Sequence, residues 1–455
     1  MSDRTIAAIS TAQGEGGIGV IRISGDDAII IADKIFEPMY GKRLVDMKGY
    51  TAAFGHIVKD GVFIDEAVAT VFRAPRSYTG ENVVELSCHG GIFITREVLR
   101  TVLDEGAFPA QAGEFTKRAF LNGKVDLTEA EAIIDIISAK SKASARAALY
   151  AKEGALWNRI EKIKKSLVST SAHLSAWADY PDEDIEDVTT DSLSNTFNEA
   201  LADIRKLLAT YDSGQAVKQG IDTVIAGKPN TGKSTLMNLL AGRDRSIVTD
   251  IPGTTRDIVE DTVLVGDILL RLSDTAGIHE TGDEVEKIGV DKAKERLKNC
   301  GIILAVFDGS REIDGDDLKL IDEIKDEKTI AIINKSDKEQ KFDAEKVKEK
   351  IENVVQISAK NGDGLKELEE IITRISGTAD LNPSEGILSN ERQRNAVVRA
   401  EQALSQSLEA LSLGMTFDAV NVTLEEAIES ILELTGERVS DVVVDSVFHN
   451  FCVGK

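Results

Sequence analysis

The stretch Asp222-Thr-Val-Ile-Ala226-Gly227-Lys-Pro-Asn230-Thr231-Gly232-Lys233-Ser234-Thr235-Leu-Met-Asn-Leu-Leu240 reads as a strand, a loop and a helix in succession. Its centre fits G-x-x-x-x-G-K-[ST], whose glycines let successive backbone N–H groups face phosphate oxygens at a helix N-terminus. The ammonium of Lys233 would reach the β- and γ-phosphates, and the Ser234 hydroxyl would ligate Mg²⁺. Asn230 to Thr235 are therefore candidate phosphate contacts. Eight matching residues can arise by chance, but companions follow in order. Asp274-Thr275-Ala276-Gly277 comes after the strand-like Ile268-Leu-Leu-Arg-Leu272, where a carboxylate can hold the magnesium shell and a glycine leaves room for a γ-phosphate. Asn334-Lys335-Ser336-Asp337 ends the strand-like Thr329-Ile-Ala-Ile-Ile333, and Ser358-Ala359-Lys360 follows Val354 to Ile357. An aspartate accepts from both the ring N–H and the amine of guanine, while adenine offers no such pair, and losing a buried bond of this kind can cost roughly 10⁴ in discrimination. Asn334 and Asp337 thus select GTP over ATP.

Around this block the chain changes texture. Residues 1–118 mix short β-rich runs (Gly19 to Ile23, Val68 to Phe72, Val83 to Leu86) with helical stretches such as Ile94 to Asp104. Residues 119–215 are Ala-, Lys- and Glu-rich with apolar positions at helical spacing, 216–378 alternate strand and helix, and 379–455 are helical again. The expected fold class is multidomain α/β: an N-terminal α/β domain, a discontinuous helical domain, and a Ras-like phosphate-loop domain inserted into it. The length, 455 residues, suits several domains. With 54 basic and 78 acidic residues the net charge is −24, so a chain devoted to wrapping nucleic acid is excluded and any RNA contact must be local or shared with a partner. Cys88, Cys300 and Cys452 are too far apart for a disulfide framework or a zinc finger. No apolar run approaches the roughly 20 residues of a membrane span, and the N-terminus lacks a signal pattern, so a cytoplasmic location and no membrane partner are expected. The acidic run Asp179 to Asp187 reads as a solvated loop between helices. Gly14-Glu-Gly16-Gly-Ile-Gly19 satisfies G-x-G-x-x-G, but a strand-like run follows where a dinucleotide fold needs a helix, so it reads as a turn between strands.

The four ordered motifs resemble those of the translation-factor-like small GTPases. In that class a threonine loop lies between the first two motifs; here it is Thr249-Asp250-Ile251-Pro252-Gly253-Thr254-Thr255-Arg256-Asp257. On chemistry alone either Thr254 or Thr255 could complete the Mg²⁺ shell. Where Ras-like enzymes place a water-orienting glutamine this chain has Ile278, so the catalytic group must lie elsewhere; Asp283, Glu284 and Glu286 stand downstream.

Further segments narrow the resemblance. They are Glu15 to Gly25 with its Ile-Arg22-Ile-Ser-Gly, Arg76-Ser-Tyr-Thr-Gly-Glu81, Glu85-Leu-Ser-Cys-His-Gly-Gly91, Gly113 to Leu127 with its Asn-Gly-Lys124, and Phe451-Cys452-Val-Gly-Lys455. In colinear order over the whole chain they resemble the MnmE (TrmE) family of bacterial tRNA-modification GTPases. The resemblance implies a homodimer whose N-terminal domain binds a tetrahydrofolate one-carbon donor. With the flavin-dependent partner MnmG (GidA), which holds the FAD and NADH, it implies addition of an aminomethyl-type group to C5 of wobble uridine 34 in tRNA. Folate contacts are implied at Arg22, Glu85, Lys124 and Lys455, with Cys452 near the folate as a candidate catalytic thiol. In the GTPase it implies K⁺ at Asn230, Thr249, Ile251 and Thr254, Mg²⁺ at Ser234 and Thr255, Glu286 as the residue that orients water, and dimerisation of G domains to close the switch loop. Arg256 and Asp257 match switch residues that stabilise that loop. His89 reads as structural and His279 is unassigned. A ribosome-assembly or signalling GTPase switch is the rival reading, although it has no use for the N-terminal set or the Cys-x-Gly-Lys tail. A folate-dependent methyltransferase regulated by GTP is disfavoured, since no base-activating or methyl-relay site is recognisable.

Overall fold

The computed structural model describes residues 4–179, 189–243, 261–273, 300–325, 327–449 and 451–454. They form two compact units, one from Met1–Ile134 with Glu429–Lys455 and the other from Asp135–Ile428.

The first unit is built on a seven-stranded sheet of β1 (Ile6–Ile9), β2 (Ile18–Ser24), β3 (Phe36–Pro38), β4 (Thr51–Lys59), β5 (Val62–Phe72), β6 (Val83–His89) and β7 (Phe108–Pro109). The order is β3-β4-β5-β6-β2-β1-β7, antiparallel except for the β1–β7 pair. The period of two is plain in the central strands. Ile21 and Ile23 of β2 and Val84, Leu86 and Cys88 of β6 face a core shared with α1 (Ala28–Ile35) and α2 (Ile92–Asp104). Arg22 and its register partner Glu85 point to the opposite face. Residues 10–17 join β1 to β2 in an antiparallel pair with no helix after Gly19, so the glycine-rich segment is the turn its sequence predicts. The helix α3 (Glu114–Leu121) precedes α4 (Leu127–Ser138). A second apolar cluster joins α4 to the helix Asp441–His449 through Leu127, Ala130, Ile133, Val444, Phe448 and Phe451. Burying a side chain the size of Phe448 contributes about 2–3 kcal/mol, which fixes the C-terminal helix on this unit. The α3 helix packs against it too, with Lys117 paired to Asp445 at 2.5 Å.

The second unit has helices on both sides of a sheet in sequence. The helices α5 (Lys142–Lys152), α6 (Ala155–Asp179), α7 (Thr190–Leu208) and α8 (Tyr211–Gln219) precede it, and Glu391–Ser412 follows it. The α7 helix starts at Thr189, whose side chain accepts from Ser192 N–H, and buries Leu193, Phe197, Leu201, Ile204 and Leu207 at helical spacing. That face packs on Glu391–Ser412, with Arg205 Nε donating to Glu401 at 2.7 Å. Gly214 of α8 lies close against the segment before that helix: a Cβ there would lie 2.1 Å from the Leu388 carbonyl oxygen. Helices from both sides of the sheet therefore make one body, and the α/β segment is inserted into it.

The inserted sheet has the order β13 (Asn353–Gln356), β12 (Thr329–Asn334), β11 (Ile302–Asp308), β8 (Ile221–Ala226), β10 (Ile268–Ser273), β9 (Asp261–Val265). All pairs are parallel except β9–β10. Parallel strands covered on both faces read as unbroken apolar runs, and every residue of β12 is buried. Leu304 and Val306 pack into one layer, and Ile303, Ala305 and Phe307 into the other. Among the described residues no helix is long and apolar enough to cross a membrane.

Candidate functional site

In a doubly wound sheet the ligand crevice lies at the carboxyl ends of the parallel strands, and the motifs after β8, β12 and β13 meet there. Two glycines make the phosphate loop possible. Gly227 has φ +146° and its absent Cβ would lie 2.4 Å from the Val306 carbonyl oxygen; Gly232 has φ +99° and a Cβ there would lie 2.2 Å from Asn334 Nδ2. Asn230 takes the left-handed conformation at φ 64°. Lys233 Nζ donates to the carbonyls of Gly227 (2.7 Å) and Lys228 (2.8 Å), so its ammonium lies inside the loop. Ser234 and Thr235 stand in the first turn of α9 (Lys233–Arg243), with the Ser234 hydroxyl available to a cation.

Asn334 is buried at the centre of the site. Its Nδ2 donates to Thr231 O at 2.9 Å, and its Oδ1 accepts from the backbone N–H of Lys335 (2.7 Å) and Ala359 (2.9 Å). One amide thereby ties together three loops drawn from three strands. Its Oδ1 is engaged by backbone N–H groups, while Nδ2 spends one of its two hydrogens on Thr231 O, so Asn334 is a tie between loops in addition to the base-facing role expected of it beside Asp337. Ser358 Oγ donates to Asp337 Oδ1 at 2.9 Å, and this bond, ahead of the charges of Lys360 and Lys338, holds the carboxyl below the ordinary aspartate range. Asp337 thus stays an acceptor in mildly acidic solution. Ser336 N–H is spent on Ile357 O at 3.0 Å. Lys335, at φ 68°, reaches back to Asn230 O (2.9 Å) and Asp308 Oδ2 (2.6 Å), bracing the phosphate loop. Lys228 pairs with Asp314 and, at 3.3 Å, with the buried Asp317, a brace that sequence reading missed.

Thr249 to Asp257, Asp274 to His279, and Asp283, Glu284 and Glu286 lie outside the described residues, as do Lys455 and the acidic run from Tyr180 to Asp187. No cluster of three His, Cys, Asp or Glu groups able to hold a metal occurs among the described residues. The donors present here, one hydroxyl beside a phosphate loop, fit a Mg²⁺ ion that takes most of its oxygens from nucleotide and water.

A second constellation lies in the first unit. Arg22 donates through Nε and Nη2 to Glu85 Oε1, both at 2.9 Å, and through Nη1 to Gly454 O at 3.5 Å. Its guanidinium lies over the rings of Tyr78 (5.1 Å) and Phe115 (5.6 Å). The tail is held by Ser10 Oγ, which donates to Gly454 O at 2.9 Å, by a bridge between Ala112 and Val453, and by Gly113 N–H on Cys452 O at 3.4 Å. Cys452 is exposed beside these contacts. Arg22, Glu85 and the Cys452–Gly454 tail therefore come together, while Lys124 donates to Pro75 O at 3.2 Å, on the loop that carries Tyr78. His89 is held by Asp65, which accepts from both its backbone N–H (2.8 Å) and its Nδ1 (2.7 Å); the side-chain bond raises its pKa. Burial pushes the Cys88 thiol up to about 11, so it packs without reacting. Sequence reading missed the neighbouring network, in which Ser24 donates to Glu81 (2.7 Å) and buried Arg118 bridges Glu81 (3.1 Å) and Glu114 (2.9 Å). Glu81, Glu114 and Arg118 line a cavity of about 570 Å³ between α3 and Asp441–His449.

Residues 127–452 match the family described as MnmE helical domain, and residues 5–124 match GTP-binding protein TrmE N-terminus. The chain is 41% identical over 456 residues to the tRNA modification GTPase MnmE of Clostridioides difficile (strain 630), covering 100% of this chain and 99% of that one. It is 42% identical over 461 residues to the protein of the same name from Carboxydothermus hydrogenoformans, covering 100% of both. The relative from Alkaliphilus metalliredigens is 40% identical over 458 residues, covering 100% of this chain and 99% of its own. With such identity along its full length, this chain belongs to the MnmE family of tRNA modification GTPases.

Proposed function

We propose that the chain binds and hydrolyses GTP and couples that turnover to modification of wobble uridine 34 in tRNA. In this reading it acts with a flavin-dependent partner of the MnmG type, holding FAD and NADH, and adds an aminomethyl-type group to C5 from a tetrahydrofolate one-carbon donor. The observation that carries the nucleotide half is the joining of phosphate loop, Asn334–Asp337 and Ser358–Lys360 by the single amide of Asn334, which leaves the Asp337 carboxylate to face a purine. Ser234 and Thr255 would hold Mg²⁺, and Asn230, Thr249, Ile251 and Thr254 would hold K⁺ beside the β–γ bridge. A monovalent cation there supplies positive charge where an arginine finger would, an effect worth roughly 10³–10⁵ when an arginine provides it. Glu286 would orient the attacking water.

For the folate half, the support is chemical. Arg22 occupies only Oε1 of Glu85, which leaves Oε2 to accept from a pterin-type donor pair, and the aromatic rings around Arg22 wall the site. Lys124 and Lys455 would take the anionic glutamyl tail, and Cys452 stands in the tail that Arg22 holds. Homodimerisation of the N-terminal units and closure of paired G domains complete the reading.

Nucleoside mass spectrometry of tRNA from cells lacking the gene tests it. The C5 group on wobble uridine is expected to be lost, then restored by the intact gene and not by Lys233→Ala. An unchanged wobble nucleoside would favour a ribosome-assembly switch and remove the folate assignments. Separately, GTP turnover at equal ionic strength is expected to be much faster in potassium than in sodium, and Glu286→Ala should nearly abolish it. Equal rates in the two salts would refute the potassium mechanism alone.

A further inference from the structure

The negative charge of the chain is unevenly distributed. Between Lys140 and Lys165 there are eight basic and two acidic residues, a net of +6 in a chain whose total is −24. This segment folds as α5 and α6, consecutive helices that pack on each other. The buried side of α5 carries Ser144 and Ala148, and the buried side of α6 carries Leu156, Ile160, Ile163 and Leu167. Lys140, Lys142, Arg146 and Lys152 of the first stretch and Lys162 and Lys165 of the second are exposed. Among the described residues no carboxylate lies within ion-pair distance of Lys140, Lys142, Arg146, Lys152 or Lys162. The Arg146 guanidinium lies 5.6 Å from the Tyr150 ring centroid, which adds a flat stacking surface.

Helix stability does not explain this placement. Ser141 caps α5, so Lys140 and Lys142 stand at the positive end of the helix dipole, where cations are disfavoured and acidic residues are usual; the first turn has none. Unpaired cations held there against local electrostatics suit an external polyanion, whose binding releases condensed counterions.

We propose that the exposed cationic face of α5 and α6 is a docking surface for the phosphate backbone of the tRNA substrate. The proposal rests on the tRNA reading above and adds where on this chain the RNA lies. It also resolves the charge problem locally, since a surface of this sign can contact RNA while the remainder of the chain repels it.

Binding of an unmodified tRNA transcript to the full-length protein, measured across a salt series, tests this. For the triple variant Lys140→Glu, Lys142→Glu, Arg146→Glu, the slope of log affinity against log salt is expected to fall by about 2–3, at roughly 0.7–0.9 for each phosphate no longer neutralised. At low salt the affinity should fall about tenfold or more, with GTP turnover without RNA unchanged. Lys162→Glu with Lys165→Glu, on a separate helix, should lower the slope independently, so poor folding of one variant does not decide the matter. Wild-type affinity and slope in both variants would overturn the proposal, as would a wild-type protein that binds no tRNA. If both variants and the intact gene restore the wobble nucleoside in cells, this surface fails while the tRNA reading stands; if the intact gene does not restore it, the reading itself fails.

Discussion

Asp337→Asn is expected to weaken GTP binding by about 10⁴ while raising affinity for xanthosine triphosphate, because the amide offers one acceptor and one donor where guanine requires two acceptors. Xanthine carries an oxygen in place of the exocyclic amine, so it meets the new donor. The substitution should be structurally quiet. Ser358 Oγ, which donates to Asp337 Oδ1 at 2.9 Å, can donate equally to an amide oxygen. Competition between GTP and xanthosine triphosphate, by equilibrium titration, gives the preference directly. Unchanged GTP affinity would remove Asp337 from base recognition.

Asn334→Ala is expected to act differently, with a loss of about 10²–10³ that does not depend on the base. The side chain is buried, and its removal strands Thr231 O and the N–H groups of Lys335 and Ala359. Each buried polar group left without a partner costs about 1–3 kcal/mol, and each 1.4 kcal/mol is tenfold in affinity. Part of that cost falls on the loop arrangement that the nucleotide requires, so GTP, GDP and xanthosine nucleotides should weaken together. Titrating all three against Asn334→Ala tests this: a loss confined to guanine nucleotides would show that the residue acts through the guanine-specific edge and not through the loops it ties together.

The contrast between these two residues also marks how far the sequence could be read. The strand–loop–helix at Ile221 to Arg243 was legible because phosphate binding imposes residue types at fixed local spacing, and β12 and β13 were legible as apolar runs before their motifs. The inserted arrangement was legible from the change of period, and the pairing of Arg205 with Glu401 across the insertion bears it out. What Asn334 touches was not legible: its partner carbonyl, Thr231 O, lies 103 residues away and belongs to the backbone, which leaves no trace in residue type. The same holds for Asp65, whose grip on His89 joins two strands across the sheet, and for the Ala112–Val453 bridge. The Ser24, Glu81 and Arg118 network was hidden for another reason, since each member alone reads as an ordinary surface polar residue.

The docking of the Cys452–Gly454 tail has a consequence for the order in which a nascent chain can mature. The inserted sheet pairs strands that lie near one another in sequence, so it can close while synthesis continues. The first unit cannot. Ser10 meets Gly454 across 444 residues and Arg22 meets it across 432, so the pocket around the Arg22 guanidinium is finished only after the whole stretch between them has been translated. A polypeptide stopped short of Phe451 would carry a complete phosphate loop with an unfinished amino-terminal site. The tail thus reports that translation has passed through the inserted sheet and the helices on either side of it.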